Sequence, residues 1–178
     1  MKKKNLMKRI LLISTIAIFS ISIAKAQTTN IFTEYSMLEV EFFENGEGDM
    51  KTENINSYVL GVSSTFELSK AIDFIGSAGM SKGFNYNFLI GNLSWNLSDN
   101  FNLFAGAGVY LIDDEKWVPL GLDGNEASSN EFGMQIGLSL QISESLGLTM
   151  KYNIIEEKED YEVGSMSING LSFGVILK

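Results

Sequence analysis

The amino-acid sequence predicts an all-β fold, an eight-stranded antiparallel up-and-down transmembrane β-barrel that follows a cleaved signal peptide. Three observations predict it. The first 26 residues have the layout of an export signal. The remainder alternates apolar and polar residues with period two, in segments of about 9–12 residues. And the face opposite the apolar one is small and nearly uncharged, unlike a solvated surface.

The export signal comes first in the chain. "MKKKNLMKR" is basic, "ILLISTIAIFSISI" is apolar, and "AKA" sets small residues before a cleavage point between Ala26 and Gln27. No cysteine follows the apolar run, which excludes lipoprotein attachment. Two segments result, a signal peptide at 1–26 and one domain at 27–178. That domain holds 152 residues with 7 basic and 22 acidic side chains. Such an acidic balance makes nucleic acid a poor partner. Disulfides and thiolate metal sites are excluded because cysteine is absent. Histidine is absent too, which removes the usual acid–base machinery, so no catalytic residue, metal site or cofactor is expected. Beyond Gln27 no apolar run reaches the ~18 residues of a membrane helix, but a closed barrel crosses with shorter strands.

Eight strands follow in order, at 32–43, 57–68, 72–80, 87–97, 101–112, 131–142, 146–155 and 165–177. In the first, Leu38, Val40 and Phe42 form the outward row, which sends Glu39 and Glu41 inward. The second sets Tyr58, Leu60, Val62 and Phe66 against Gly61, Ser63 and Thr65. The third, "IDFIGSAG", opens after a turn at Ser69. The fourth sets Leu89, Leu93, Trp95 and Leu97 against Asn92, Ser94 and Asn96. In the fifth, Leu103, Ala105, Ala107 and Val109 oppose Phe104, Gly106, Gly108 and Tyr110. The sixth sets Phe132, Met134, Ile136 and Leu138 against Gly133, Gln135, Gly137 and Ser139. The seventh sets Leu148, Met150 and Tyr152 against Thr149, Lys151 and Asn153, and the eighth adds Gly170, Ser172 and Gly174 to the inner face.

Tight turns and long connections alternate between these strands. The turns share one plan, an apolar residue followed by Ser69, Ser98 or Ser143 and two turn-forming residues. Residues 44–56, 81–86, 113–130 and 156–164 read as loops. An even strand count gathers both chain ends and the three turns on one side and the loops on the other.

Composition decides which face is outside. The small face suits the lumen of a barrel of about eight strands, which is just wide enough for side chains to fill. The apolar face then meets lipid, and Phe66, Phe74, Trp95 and Phe101 at one end with Phe42, Tyr58 and Tyr152 at the other make two aromatic girdles. Phe88, Phe104 and Tyr110 point inward as a lumen plug. Lys151, the one inward base, is expected to pair with Glu39 or Glu41 as a lumen charge network.

With this signal, strand count, loop asymmetry and the "LSDNFNLFAGAGVY" hairpin, the chain resembles the small eight-stranded outer-membrane barrels of the OmpA/OmpX type, including stand-alone outer membrane β-barrel domain proteins. The resemblance covers 27–178. It implies a place in the bacterial outer membrane, with outer-membrane lipid and the barrel assembly machinery as partners. Such barrels usually end in an aromatic residue; here "SFGVILK" leaves Phe173 and Leu177 as the apolar positions for that machinery. Fourteen of the 22 acids lie in the loops at 44–56, 113–130 and 156–164. They serve as a solubilising surface or, through divalent cations, as a contact to lipopolysaccharide. The expected role is structural or surface-interacting and not catalytic, its surface partner unnamed by the sequence; the alternative is a narrow porin for ions or very small solutes.

Overall fold

The computed structural model describes residues 28–43, 50–112, 129–156 and 166–178. The signal segment, the Ala26–Gln27 junction and most of the acidic loop residues lie outside the described residues. Eight strands form one closed antiparallel barrel: β1 (Thr28–Phe43), β2 (Met50–Ser69), β3 (Ile72–Lys82), β4 (Tyr86–Ser98), β5 (Phe101–Ile112), β6 (Ser129–Ser143), β7 (Leu146–Glu156) and β8 (Met166–Leu177). Each strand pairs with its neighbours in sequence. β1 closes the barrel on β8, from Ile31 opposite Leu177 to Phe42 opposite Met166. Closure leaves no sheet edge within the paired region, which is what lets a β-structure sit in lipid.

The three tight turns are copies of one device. Pairing jumps from Glu67 to Ser69, from Asn96 to Ser98 and from Gln141 to Ser143. Each jump leaves one bulged residue, Leu68, Leu97 or Ile142, whose side chain stays exposed on the outer face. The second residue of each turn accepts a backbone N–H from the next strand round the barrel. Asn96 donates to the Ala71 carbonyl at 2.9 Å, Gln141 to Asn100 at 2.7 Å, and Lys178 to Ser145 at 3.1 Å. At the opposite, loop end, β3 and β4 are joined by residues 83–85. Gly83 sits there at φ 108°, in the left-handed region that favours glycine.

In β2 to β8 the faces follow the alternation of the sequence. Leu60, Leu93, Ile136 and Leu148 are exposed on the outer wall, while Ser63, Asn92, Ser94, Gln135 and Thr149 are buried in the lumen. Thr33 is a polar side chain on this outer wall, and its hydroxyl donates to the Val59 carbonyl at 3.0 Å. The belt of exposed apolar side chains is the surface of a membrane-spanning barrel, because nothing but lipid favours it.

Strand one departs from expectation. Leu38 and Val40 point inward and are 2% and 0% exposed, whereas Glu39 is on the outside, with Glu41 half-exposed on the same face. The apolar residues of β1 change rows, from Ile31, Tyr35 and Met37 to Leu38 and Val40, without any bulge in its pairing with β2. An unbroken strand cannot change parity, so the environment changes instead. At the loop end the outer wall turns polar, with Glu39, Thr52, Asn54, Asn56, Lys82 and Asn130 exposed. There the lumen turns apolar, with Leu38, Val40, Val59, Phe84, Ile112, Ile155 and Ile168 packed together. The barrel is thus inverted along its axis, apolar outside and polar inside through lipid, then polar outside and apolar inside above it.

The same inversion corrects the loop at 44–56. Residues 50–56 belong to β2 and pair with Phe43 through Met37. Glu53 is therefore a strand residue, not a loop acid. Thr52, Asn54 and Asn56, which read as a loop, are the water-facing row of a strand that has left the membrane, while Glu53 lies on the inward row with Ile55. The 81–86 loop likewise shrinks to 83–85, and β6 starts at Ser129. The Phe42 side chain lies outside the described residues.

Candidate functional site

The inner face of β7 carries Lys151 into the lumen, flanked by Thr149 and Asn153 on the same row. Its Nζ lies 2.7 Å from Glu34 Oε2 on β1. Glu39 and Glu41, the expected partners, face the other way, and Glu41 instead accepts a hydrogen bond from Ser167 Oγ at 3.2 Å. The physical reason is the parity of β1, which sets Asn30, Phe32, Glu34 and Ser36 on the inner row. Glu34 was legible only from Ile31, Tyr35 and Met37 as the outward row of that strand. Both partners are buried, and no other donor among the described residues reaches Glu34 Oε2. The ammonium also lies 5.8 Å from the Phe32 ring and 5.5 Å from the Phe88 ring, so two aromatic faces share its charge.

Glycine makes this packing possible. β8 runs between β1 and β7, and its Gly174 lies opposite both Glu34 and Thr149. A β-carbon on Gly174 would come within 2.6 Å of Glu34 Cγ. Four inward rings lie across inward glycines of a neighbouring strand: Phe32 over Gly61, Phe88 over Gly79, Tyr110 over Gly133 and Phe104 over Gly137. Shielding of a strand glycine by a cross-strand ring is a recurrent way to fill a sheet surface. At these four positions the inward glycine is the complement of the ring beside it.

The structure brings Phe88 and Tyr110 together at 6.0 Å between ring centres, and places Phe104 lower, outside that cluster. Residues the sequence did not single out complete the block. Phe32 lies 6.3 Å from Phe88, Tyr86 lies 5.6 Å from Tyr110, and Phe84 lies 5.8 Å from Tyr86. Around them run hydroxyl and amide contacts, among them Ser36 Oγ to Ser172 Oγ at 2.7 Å and Asn153 Nδ2 donating to Ser172 Oγ at 2.8 Å. Ser57 and Ser81 hydroxyls also meet, and Ser57 donates to the Lys82 carbonyl at 3.0 Å. Nothing in this arrangement pairs a nucleophile with a base.

No known family model matches the sequence, and no curated protein does. Among solved structures the chain is similar to Neisserial surface protein A, with a TM-score of 0.56 at 13% identity, covering 84% of this chain and 96% of that one. The fold is that of the small outer-membrane barrels. Weaker likenesses are to Ail, the attachment invasion locus protein of Yersinia pestis (TM-score 0.48, 15% identity, 84% and 97% covered), and to the N-terminal barrel domain of Pseudomonas aeruginosa OprF (0.41, 13%, 80% and 96%). At these identities the likeness is one of architecture.

Proposed function

We propose that this barrel is a non-conducting outer-membrane protein with a structural or surface-interacting role, presenting its loop end outside the cell and its tight turns to the periplasm. The observation that carries this reading is the apolar block across the loop-end lumen. A solute would have to part Phe84, Tyr86, Phe88 and Tyr110 from Leu38, Val40, Ile112 and Ile168, all buried. The polar wall of Glu39, Asn54 and Asn56 above the lipid belt supports contact with a partner at this end. The acids that the sequence gathers at 44–49, 113–128 and 157–165 support the same reading, through divalent cations where the partner is lipopolysaccharide. The absence of histidine and cysteine from the whole chain supports a role without catalysis. Export by cleavage between Ala26 and Gln27, and delivery by the barrel assembly machinery, belong to the same proposal.

Two measurements test it. Purified protein in a planar bilayer is expected to give no steady current, and large stable steps would promote the narrow-porin reading instead. An epitope at Gly124 is expected to be labelled on intact cells, and one at Asp99 only after permeabilisation. The reverse pattern would overturn the orientation.

A further inference from the structure

Below the aromatic block the lumen is open at the turn end. A cavity of ≈350 Å³ at the mouth and one of ≈80 Å³ deeper in share Asn30, Thr65, Ile75, Ser139 and Ile176 in their walls. The deeper one ends at Phe104 and the Lys151–Glu34 pair. Three buried oxygens of these walls have no hydrogen-bond donor among the described residues: Asn30 Oδ1, Asn96 Oδ1 and Gln135 Oε1. Two of them are locked in that role. Asn96 Nδ2 donates to Asp73 Oδ2 at 3.2 Å, and Gln135 Nε2 donates to Asn92 Oδ1 at 2.6 Å. Turning either amide round would set oxygen against oxygen.

These oxygens lie just behind the wall, and a small turn of their side chains toward the well lets each accept a hydrogen bond from an occupant. The charges of the wall are balanced, Glu67 and Asp73 against Lys70 and Lys178 at the mouth and Glu34 against Lys151 at the floor. We propose that this well binds a small uncharged solute rich in hydroxyl groups, of polyol or monosaccharide size, entering from the turn end. An anion would face the orphaned oxygens, an organic cation would meet Lys151 at the floor, and an apolar molecule would leave the oxygens without donors. Hydroxyls supply donors to Asn30, Asn96 and Gln135 as those side chains turn toward the well, and match Thr65 and Ser139 in its walls. The inference goes beyond the surface role and does not depend on it.

Equilibrium dialysis of labelled sorbitol and glucose against the wild-type barrel in detergent tests it directly. Saturable binding of at least one is expected, weakened about tenfold in Gln135→Met or Asn96→Leu, the equivalent of one lost hydrogen bond to the ligand. Heat-dependent gel mobility checks that the variants are folded. Because the chain has no cysteine, Ser139→Cys and Ser36→Cys give an independent measure. A small water-soluble thiosulfonate is expected to modify position 139 and not position 36, and the bound polyol to slow it. Absence of saturable binding by wild-type protein, binding unchanged in folded Gln135→Met, or an inert cysteine at 139 would overturn the proposal.

Discussion

At the scale of single residues, the lumen is held by a few contacts that are costly to break one-sidedly. Lys151 and Glu34 are buried with side-chain exposures of 8% and 5%, so removing one strands the other as an uncompensated charge. Lys151→Met and Glu34→Gln are each expected to destabilise by ~3–5 kcal/mol, and the double variant by much less than their sum. Glu39→Gln, on the outer wall, is expected to be additive with Lys151→Met. Guanidinium unfolding in detergent reads all three, and additivity of Glu34→Gln with Lys151→Met would rule out the pair. Gly79→Ala probes the other motif. Its β-carbon would lie 2.7 Å from the Phe88 ring and 2.8 Å from the Leu60 carbonyl, so a loss of roughly 1–3 kcal/mol is expected from overpacking. That loss shrinks when Phe88 is Leu.

At the scale of the element, a strand is specified by parity, and parity tolerates insertion or deletion only at bulges. Leu97 is the bulged residue between the paired Asn96 and Ser98. Deleting it leaves every other side chain of β4 on its own face, so the barrel is expected to fold, with a cost of ~1 kcal/mol or so for lost lipid-facing area. Deleting Leu93 from the regular ladder turns Asn92 and its neighbours, or Ser94, Trp95 and Asn96, onto the wrong faces. That variant is expected not to fold, as read by the loss of heat-dependent gel mobility. The face of β1 can be tested the same way with single cysteines. Leu38→Cys and Val40→Cys are expected to be inert to a water-soluble thiol reagent, and Glu39→Cys to react.

At the scale of the molecule, the barrel is two environments stacked end to end. The turn-end half faces lipid and encloses polar side chains and a well; the loop-end half faces water and encloses a small apolar core. Closure of the lumen is a property of that core as a whole. Removing Phe88 alone leaves Phe32, Tyr86 and Tyr110 in place, so no current is expected from Phe88→Ala. Replacing Phe84, Tyr86, Phe88 and Tyr110 together by alanine is expected to open a path and give conductance in a planar bilayer. If the fourfold variant folds and stays closed, the block lies elsewhere. Trp95 sits in the lipid belt, 36% exposed, so brominated lipids are expected to quench its fluorescence.

How much of this was legible depends on where each residue sits along the barrel axis. From β2 to β8 the sequence alone determines the faces, because period-two alternation assigns each residue a side and one medium lies on each side through the membrane. The tight turns were legible for a similar reason, since each needs its apolar residue, its serine and two turn residues in a local order. The upper part of β1 and residues 50–56 were not. There the outer medium passes from lipid to water while the lumen passes from polar to apolar, so the hydrophobic row changes sides with no break in the chain to mark it. Only the closed register shows that Leu38 and Val40 stand among Ile112, Ile155 and Ile168, and that Glu34 on β1 faces Lys151 on β7 across an intervening glycine. Parity is a local property of the chain, but the medium each face meets is set by height in the barrel, and height exists only once the strands have paired.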